Sequence, residues 1–140
     1  MNVITHEEYA NAVIAGVDLA QQPTGGGRVM AQVLLSCYNG DSFQLDVVDL
    51  CNLDQENYEI AITIIRGRYE VRCEPQDMIE NGSKIFRELW DQWGQLELTE
   101  RAKRSCPDCS NGKIYENDDD EVGVYCTRCK GSGRICRCSN

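Results

Sequence analysis

The sequence predicts an α+β protein with a mainly α-helical N-terminal domain and a small β-hairpin module behind it. Three observations predict this division. Apolar residues recur at helical spacing through most of the first hundred or so residues, and capping residues precede several of these stretches. Six of the nine cysteines are concentrated between residues 106 and 138. We therefore predict an acidic helical domain over 1–97, a linker over 98–105 and a cysteine module over 106–138.

Two helices are predicted at the start of the chain. Thr5 and Glu8 have the spacing of a capping box, and the apolar residues behind them recur at helical spacing. This pattern predicts a helix over 6–21, which Pro23 and the three glycines after it should end. A second amphipathic stretch predicts a helix over 28–38.

The middle of the chain mixes strand and helix signals. Apolar residues alternate with polar ones over 42–48, which predicts a short strand, and a second short strand is predicted over 69–73. Asp54 is a typical cap for a helix over 55–66 that should end at Gly67. Because three isoleucines in this helix are β-branched, a strand there stays open as the alternative.

The last helix of the domain carries the strongest apolar face. Pro75 suits a first helical position, Asn81-Gly82 should interrupt the helix, and Ser83 should cap its continuation. Two tryptophans and a phenylalanine three to four residues apart bury a large area, so this helix should close the core. The face consists of Ile85, Phe86, Leu89, Trp90 and Trp93.

The net charge of −9 is unevenly distributed. Residues 1–100 contain 17 acidic and 6 basic side chains, a balance of −11, whereas residues 101–140 contain 6 acidic and 8 basic ones, a balance of +2. An acidic body repels nucleic acid and favours basic protein partners. The sequence has neither a membrane-spanning apolar run nor a signal-like N-terminus, so we expect a cytoplasmic protein. Clustered thiols in that compartment are typical of metal binding.

The cysteine spacing predicts a zinc site. Two Cys-x-x-Cys pairs are separated by sixteen residues, enough for a hairpin with outgoing residues 113–115 and returning residues 122–125. Each pair forms a tight knuckle, and two knuckles supply the four thiolates of a tetrahedral Zn²⁺ site. Redox Cys-x-x-Cys motifs, the alternative, normally occur singly. The predicted ligands are Cys106, Cys109, Cys126 and Cys129.

A family resemblance supports this interpretation. The segment Cys126-Thr-Arg-Cys129-Lys-Gly131-Ser-Gly133 matches the CxxCxGxG repeat of the cysteine-rich zinc region of DnaJ-type chaperones. Residues 106–112 resemble a degenerate copy, with one glycine where two are expected. The resemblance covers residues 106–133 only, and the J-domain motif His-Pro-Asp is absent from the sequence. It therefore implies the zinc-binding style of that family and not its co-chaperone activity.

A second resemblance concerns origin. Single CxxCxGxG pairs are also similar to those of phage proteins, including lambda-type late antiterminators. The segments 31–40 and 46–50 resemble small uncharacterised phage and prophage proteins. Together these likenesses imply a protein of a phage or another mobile element.

Other candidate residues have a structural explanation beside the functional one. Cys136 and Cys138 are either spare zinc ligands or free, oxidisable thiols. Cys37 lies on an apolar helical face and suits the core, and the single histidine, His6, suits an exposed first turn. The glycines before Arg28 form either an anion cradle at a helix start or a flexible loop.

Three aspartates complete the set of candidates. Asp46, Asp49 and Asp54 lie close enough in sequence for a carboxylate cluster that binds metal or catalyses a reaction. Helix capping and solvated surface positions are the alternative that we favour.

These patterns together indicate a binding protein. We expect a non-enzymatic, zinc-binding phage or mobile-element accessory protein that binds a host protein complex with a basic surface. One specific form is an inhibitor of host defence, an anti-CRISPR protein that acts as an acidic mimic of nucleic acid. The alternative is an antiterminator-like transcription regulator that contacts DNA or RNA polymerase through its basic zinc tail. An enzyme that uses Cys37 or Cys136 is a third hypothesis.

Overall fold

The computed structural model describes residues 2–101, 103–105, 107–110, 112–115 and 123–136. The chain divides into two compact units, Met1–Leu98 and Thr99–Asn140. Most of the described residues are helical, and the strands form two small antiparallel pairs. This architecture confirms the predicted α+β class.

The first unit contains four α-helices and three short 3₁₀ helices. The α-helices are α1 (His6–Ala20), α2 (Gly25–Tyr38), α3 (Gln55–Glu70) and α4 (Gly82–Gln92). The 3₁₀ helices are Val47–Asn52, Pro75–Met78 and Gly94–Leu96. No helix in the described part of the chain is long and apolar enough to cross a membrane.

The first two helices begin at side-chain caps. The capping box of α1 is confirmed: the Glu8 amide donates to Thr5 Oγ1 over 3.1 Å, and the Thr5 amide donates to Glu8 Oε2 over 2.8 Å. Helix α2 begins three residues earlier than predicted, because Thr24 Oγ1 accepts from the Gly27 amide. The glycines are therefore the first turn of a helix, and the prediction of a flexible loop is wrong.

The core of the first unit lies between the four α-helices. Close approach of α1 and α3 depends on a glycine, because Gly67 packs directly under the Tyr9 ring. Helix α4 closes the core as predicted: Trp93 Nε1 donates to the Ala20 carbonyl over 2.7 Å, and the Trp90 ring meets Phe43 edge-on at 4.8 Å. The largest buried side chains include Tyr9, Met30, Leu34, Phe43, Ile64, Phe86 and Leu89.

The two strands predicted in this unit are wrong. The residues from Val47 to Asn52 form a 3₁₀ helix, because the Asp46 carboxylate accepts from the Val48 amide and winds the chain. Farther along, α3 continues through Gly67 to Glu70, so the segment predicted as a strand over 69–73 begins inside a helix. A helix, not a strand, is therefore the structure of the isoleucine-rich stretch.

The second unit contains the strands. Helix α5 (Leu98–Arg101) and strand β1 (Lys103–Ser105) lie in the stretch predicted as a linker. Strand β1 pairs with β4 (Arg134–Cys136). The predicted hairpin is present as β2 (Lys113–Ile114) paired with β3 (Val124–Tyr125).

Candidate metal centre and binding surface

Three cysteines from the two predicted knuckles meet in the second unit. The sulfur atoms of Cys109, Cys126 and Cys129 all lie within 4.8 Å of one another, and Cys109 Sγ is 3.6 Å from Cys129 Sγ. A disulfide needs about 2.05 Å. Two thiolates on one tetrahedral zinc, each about 2.3 Å from the ion, stand about 3.8 Å apart. The cluster therefore has the spacing of a metal site. Cys106, the fourth predicted ligand, lies outside the described residues.

Backbone turns after the second knuckle wrap the chain around the sulfur of Cys129. Lys130, Gly131 and Gly133 all have positive φ angles, of 55°, 80° and 77°. This path brings the Gly133 amide to 3.2 Å from Cys129 Sγ, to which it donates. Glycine adopts such angles at little cost, which gives the CxGxG spacing a physical reason.

Hydrogen bonds favour the ionised form of Cys129. Burial raises the pKa of this thiol, but hydrogen bonds from the Gly133 amide, the neighbouring thiols and the Gly131 amide lower it to about 6. A thiolate is the form that binds metal. The site is therefore prepared for a cation at neutral pH.

The two knuckles are also tied to each other. The Cys126 amide donates to the Gly112 carbonyl over 2.8 Å. Arg128 of the second knuckle forms an ion pair with Asp108 of the first, with Nη1 3.3 Å from each carboxylate oxygen. The degenerate first repeat thus keeps a glycine, Gly112, at the point where the two loops meet.

The remaining cysteine and histidine candidates lie outside the metal cluster. Cys37 is partly buried against the core, as predicted, and His6 is exposed at the start of α1. The backbone of Cys136 pairs with that of Lys103. Cys138 lies outside the described residues, so the two explanations for this thiol pair stay open.

The three aspartates cap helices or bind neighbouring side chains, and helix capping is the alternative favoured from the sequence. Asp54 accepts from the Asn57 amide over 2.8 Å at the start of α3, and Asp46 caps the 3₁₀ helix that follows it. Asp49 accepts from Arg28 Nη1 and from Gln32 Nε2. Their carboxylates are thus engaged with different partners and different elements.

A surface that sequence reasoning missed lies on the first 3₁₀ helix. Val47 and Val48 are 71% and 73% exposed, and Val47, Cys51 and Tyr58 line a shallow cavity of about 380 Å³. We call this surface the valine patch, defined as Val47, Val48, Cys51 and Tyr58. The signal that could have revealed it is Asp46, a capping residue placed directly before two valines that were assigned to a strand.

Comparison with known proteins places the first unit in a family. No curated protein and no solved structure matched the chain. The model of a family of unknown function (DUF7673) matches residues 10–94, which is more than half of the sequence. The match ends before the cysteine module, so the resemblance of that module to DnaJ-type repeats stays a prediction. The chain belongs to the family of unknown function DUF7673.

Proposed function

We propose that this protein is a non-enzymatic binding protein, stabilised by zinc, that docks on a basic protein surface through the valine patch. One observation carries the proposal. Two adjacent valines are each more than 70% exposed on a short helix that is anchored to the core. Clustered, exposed apolar side chains in a polar surround mark interaction sites.

Hydrogen bonds with a buried glutamine fix the 3₁₀ helix on which the two valines are exposed. Gln32, only 1% exposed, accepts from the Asp46 amide through Oε1 and donates to Asp49 through Nε2. The same short helix turns Leu50 and the following Leu53 toward the core. Because both ends of the segment are fixed, Val47 and Val48 cannot fold inward to escape water. The surface is preorganised, which lowers the entropy cost of binding.

Charge around the patch selects the partner. Asp46 and Asp54 are exposed directly before and shortly after the 3₁₀ helix that carries the valines. The partner surface that fits has an apolar side chain surrounded by lysine and arginine. In a phage or mobile element, we propose a host complex that handles nucleic acid as this partner. An inhibitor of host defence of the anti-CRISPR kind, acting in the host cytoplasm, is one specific form.

We propose that Zn²⁺ occupies the cysteine cluster, with Cys106 as the fourth ligand. Thiolates are soft ligands that favour zinc over magnesium, calcium or manganese. The 3.6 Å sulfur–sulfur distance and the amide bonded to Cys129 agree with a closed structural site. Closed sites stabilise folds and leave no position for a reacting water.

The antiterminator-like alternative has less support. It needs free cations on the second unit, but two of its described basic side chains are already paired with carboxylates. Arg128 pairs with Asp108, and Arg134 pairs with Glu100. Contact with nucleic acid through these side chains requires breaking those interactions.

Affinity capture from bacterial host lysate tests the proposed function. The bait is the full zinc-loaded chain, compared with V47S/V48S and with the control Val3→Ser. Val3 is 71% exposed, as Val47 is, so the control removes an equally exposed valine elsewhere. We expect nuclease-resistant capture of one host protein or complex by the wild type and V3S, and loss of that capture with V47S/V48S. Equal capture by all three baits contradicts the proposal.

Elemental analysis tests the metal assignment. We expect one zinc per chain, and less than one in a Cys126→Ser variant. Metal-free protein from a wild-type preparation, or iron in place of zinc, contradicts it. A captured nucleic acid with no captured protein supports the antiterminator alternative instead.

A further inference from the structure

We propose that a groove between the C-terminal ends of α2 and α3 binds a small phosphate-bearing ligand of mononucleotide size. The groove has a volume of about 650 Å³ and is lined chiefly by Cys37, Tyr38, Arg68, Tyr69 and Arg72. Small-molecule sites typically measure about 300–1,000 Å³. It lies on residues other than those of the valine patch, so this inference stands apart from the proposed function.

Two arginines give the groove a charge opposite to that of its unit. Of the four other cations of residues 1–100, Arg28 pairs with Asp49, Arg66 with Glu70 and Lys84 with Glu88, whereas Arg87 donates to the Ser83 carbonyl. Within the described ranges, neither Arg68 nor Arg72 forms an ion pair, and none of the residues described as lining the groove is acidic. In a stretch with 17 acidic side chains, two guanidinium groups that line one groove without an acidic residue favour the binding of an external anion there.

Arg68 forms the fixed side of the groove. Its Nε donates to the Cys37 carbonyl at the end of α2 over 3.2 Å, and the residue is partly buried. This bond uses Nε and leaves the two Nη groups as donors for a ligand. A guanidinium held in one position binds a phosphate at a smaller cost in entropy than a mobile one.

Arg72, four residues after Arg68, lines the same groove and has an unusual backbone. Its φ angle is 63°, in the left-handed region, at the position after the α3 cap where glycine or asparagine is usual. Its guanidinium lies 5.4 Å from the centre of the Tyr69 ring. Residues in such strained conformations concentrate at functional sites. The placement of an arginine here is explained if the guanidinium contacts a ligand.

The groove also offers an aromatic surface. Tyr69 is 72% exposed, which is unusual for so large a ring. A phosphate bound by the two arginines and a planar ring against the exposed face of Tyr69 match the two parts of a mononucleotide. The acidic charge of the rest of the unit opposes a long polyanion such as RNA, whereas it affects one phosphate much less.

Calorimetric titration of the full zinc-loaded chain with adenosine 5′-monophosphate (AMP) tests this inference. The variant is Arg72→Gln, and the matched control is Arg87→Gln, an exposed arginine of α4 with the same change in charge. We expect saturable AMP binding that R72Q weakens about tenfold or more, as for a lost charge-assisted hydrogen bond. R87Q should bind as the wild type does.

Three competitors define the ligand class. Inorganic phosphate should displace AMP, adenosine alone should bind much more weakly, and citrate should not compete at equal concentration. The inference is overturned by absence of saturable AMP binding, by equal binding of citrate, or by equal effects of R72Q and R87Q. The V47S/V48S variant should bind AMP normally, which separates failure here from failure of the proposed docking surface.

Discussion

Gly112 of the first knuckle packs directly on the carbonyl group of Gly131 in the second. A Cβ atom on Gly112 would overlap the carbonyl oxygen and lie 2.6 Å from the carbonyl carbon. Gly112 also has a φ angle of 92°. Two features therefore require glycine at this position of the degenerate first repeat: the positive φ angle and the close contact with the Gly131 carbonyl.

Gly112→Ala should therefore weaken metal retention. The left-handed backbone alone costs a side chain about 1–2 kcal/mol, and relief of the overlap must move one knuckle away from the other. We expect at least tenfold weaker zinc affinity, measured by competition with a chromogenic chelator. Gly25→Ala is the control, because a Cβ there has no atom within 4 Å. Wild-type affinity in the Gly112 variant would show that the knuckles do not depend on this contact.

A second glycine, Gly67, is required by packing although it lies inside a helix. A Cβ on Gly67 would overlap the Tyr9 ring and lie 3.0 Å from the Tyr9 Cβ. Tyr9 is fully buried, and its hydroxyl donates to the Cys73 carbonyl over 2.9 Å. The ring therefore has little room to move.

Gly67→Ala should destabilise the first unit, although alanine favours helix. The gain in helix propensity is about 1 kcal/mol, while overpacking a buried ring costs about 1–3 kcal/mol and often more where the backbone must shift. We expect a net loss of about 1 kcal/mol or more in urea denaturation. Gly26→Ala, whose Cβ would meet Leu19 at 3.8 Å, should instead be neutral or stabilising. A stabilised Gly67 variant would refute the packing argument.

Local signals in the sequence predicted the parts of the fold that depend on local contacts. The capping box of Thr5 and Glu8 and the cap at Asp54 are satisfied by neighbours three residues away. The strands predicted over 42–48 and 69–73 are wrong because apolar alternation does not reveal the cap at Asp46 or the contacts with residues far along the chain. Gln32 binds the backbone at Asp46, and Tyr9 covers Gly67.

The candidate sites also divide into one that local sequence signals predict and others that depend on residues distant in sequence. Cysteine spacing alone predicted that Cys109, Cys126 and Cys129 come together, because paired Cys-x-x-Cys knuckles have a spacing that is visible in sequence. The groove lined by Arg68 and Arg72, here called the arginine groove, joins residues more than thirty positions apart. The valine patch depends on a buried glutamine. No periodicity or motif brings these distant residues together, and the cap at Asp46 is the one local signal of the valine patch.

Cys37 should make stability depend on pH in the alkaline range. Burial, opposed in part by Arg68 and by a hydrogen bond with Ser36, raises the pKa of this thiol from 9.0 to about 11. The folded state prefers the neutral thiol, so its contribution is complete below pH 9 and is lost as pH rises from 9 toward 11. The expected loss is about 1 kcal/mol by pH 10.

Urea denaturation of the wild type and Cys37→Ala at pH 8 and pH 10 measures this effect. Burial, and secondarily Cys37, raise the pKa of Tyr9; because burial is the larger cause and acts in both proteins, most of the Tyr9 contribution cancels in the comparison. We expect the wild type to lose more stability than C37A between the two pH values. Equal losses of stability in the wild type and C37A would mean that the thiol ionises in the folded protein as readily as in the unfolded one.

Arg72→Gly should separate stability from ligand binding. Glycine adopts the φ angle of 63° without the penalty that a side chain incurs, so the free energy of unfolding should rise by about 1 kcal/mol. The same change removes a guanidinium from the groove, so AMP affinity should fall as it does in R72Q. Thermal denaturation and calorimetry of one preparation measure both quantities.

The two readouts distinguish a ligand site from an incidental arginine. If Arg72 serves only the fold, its replacement by glycine should raise stability and leave AMP binding unchanged. A fall in both would mean that the side chain stabilises the end of α3, for example through its contact with the Tyr69 ring. Higher stability together with lower affinity is the result that the arginine groove requires, because strain at a binding residue is retained only where the ligand compensates for it.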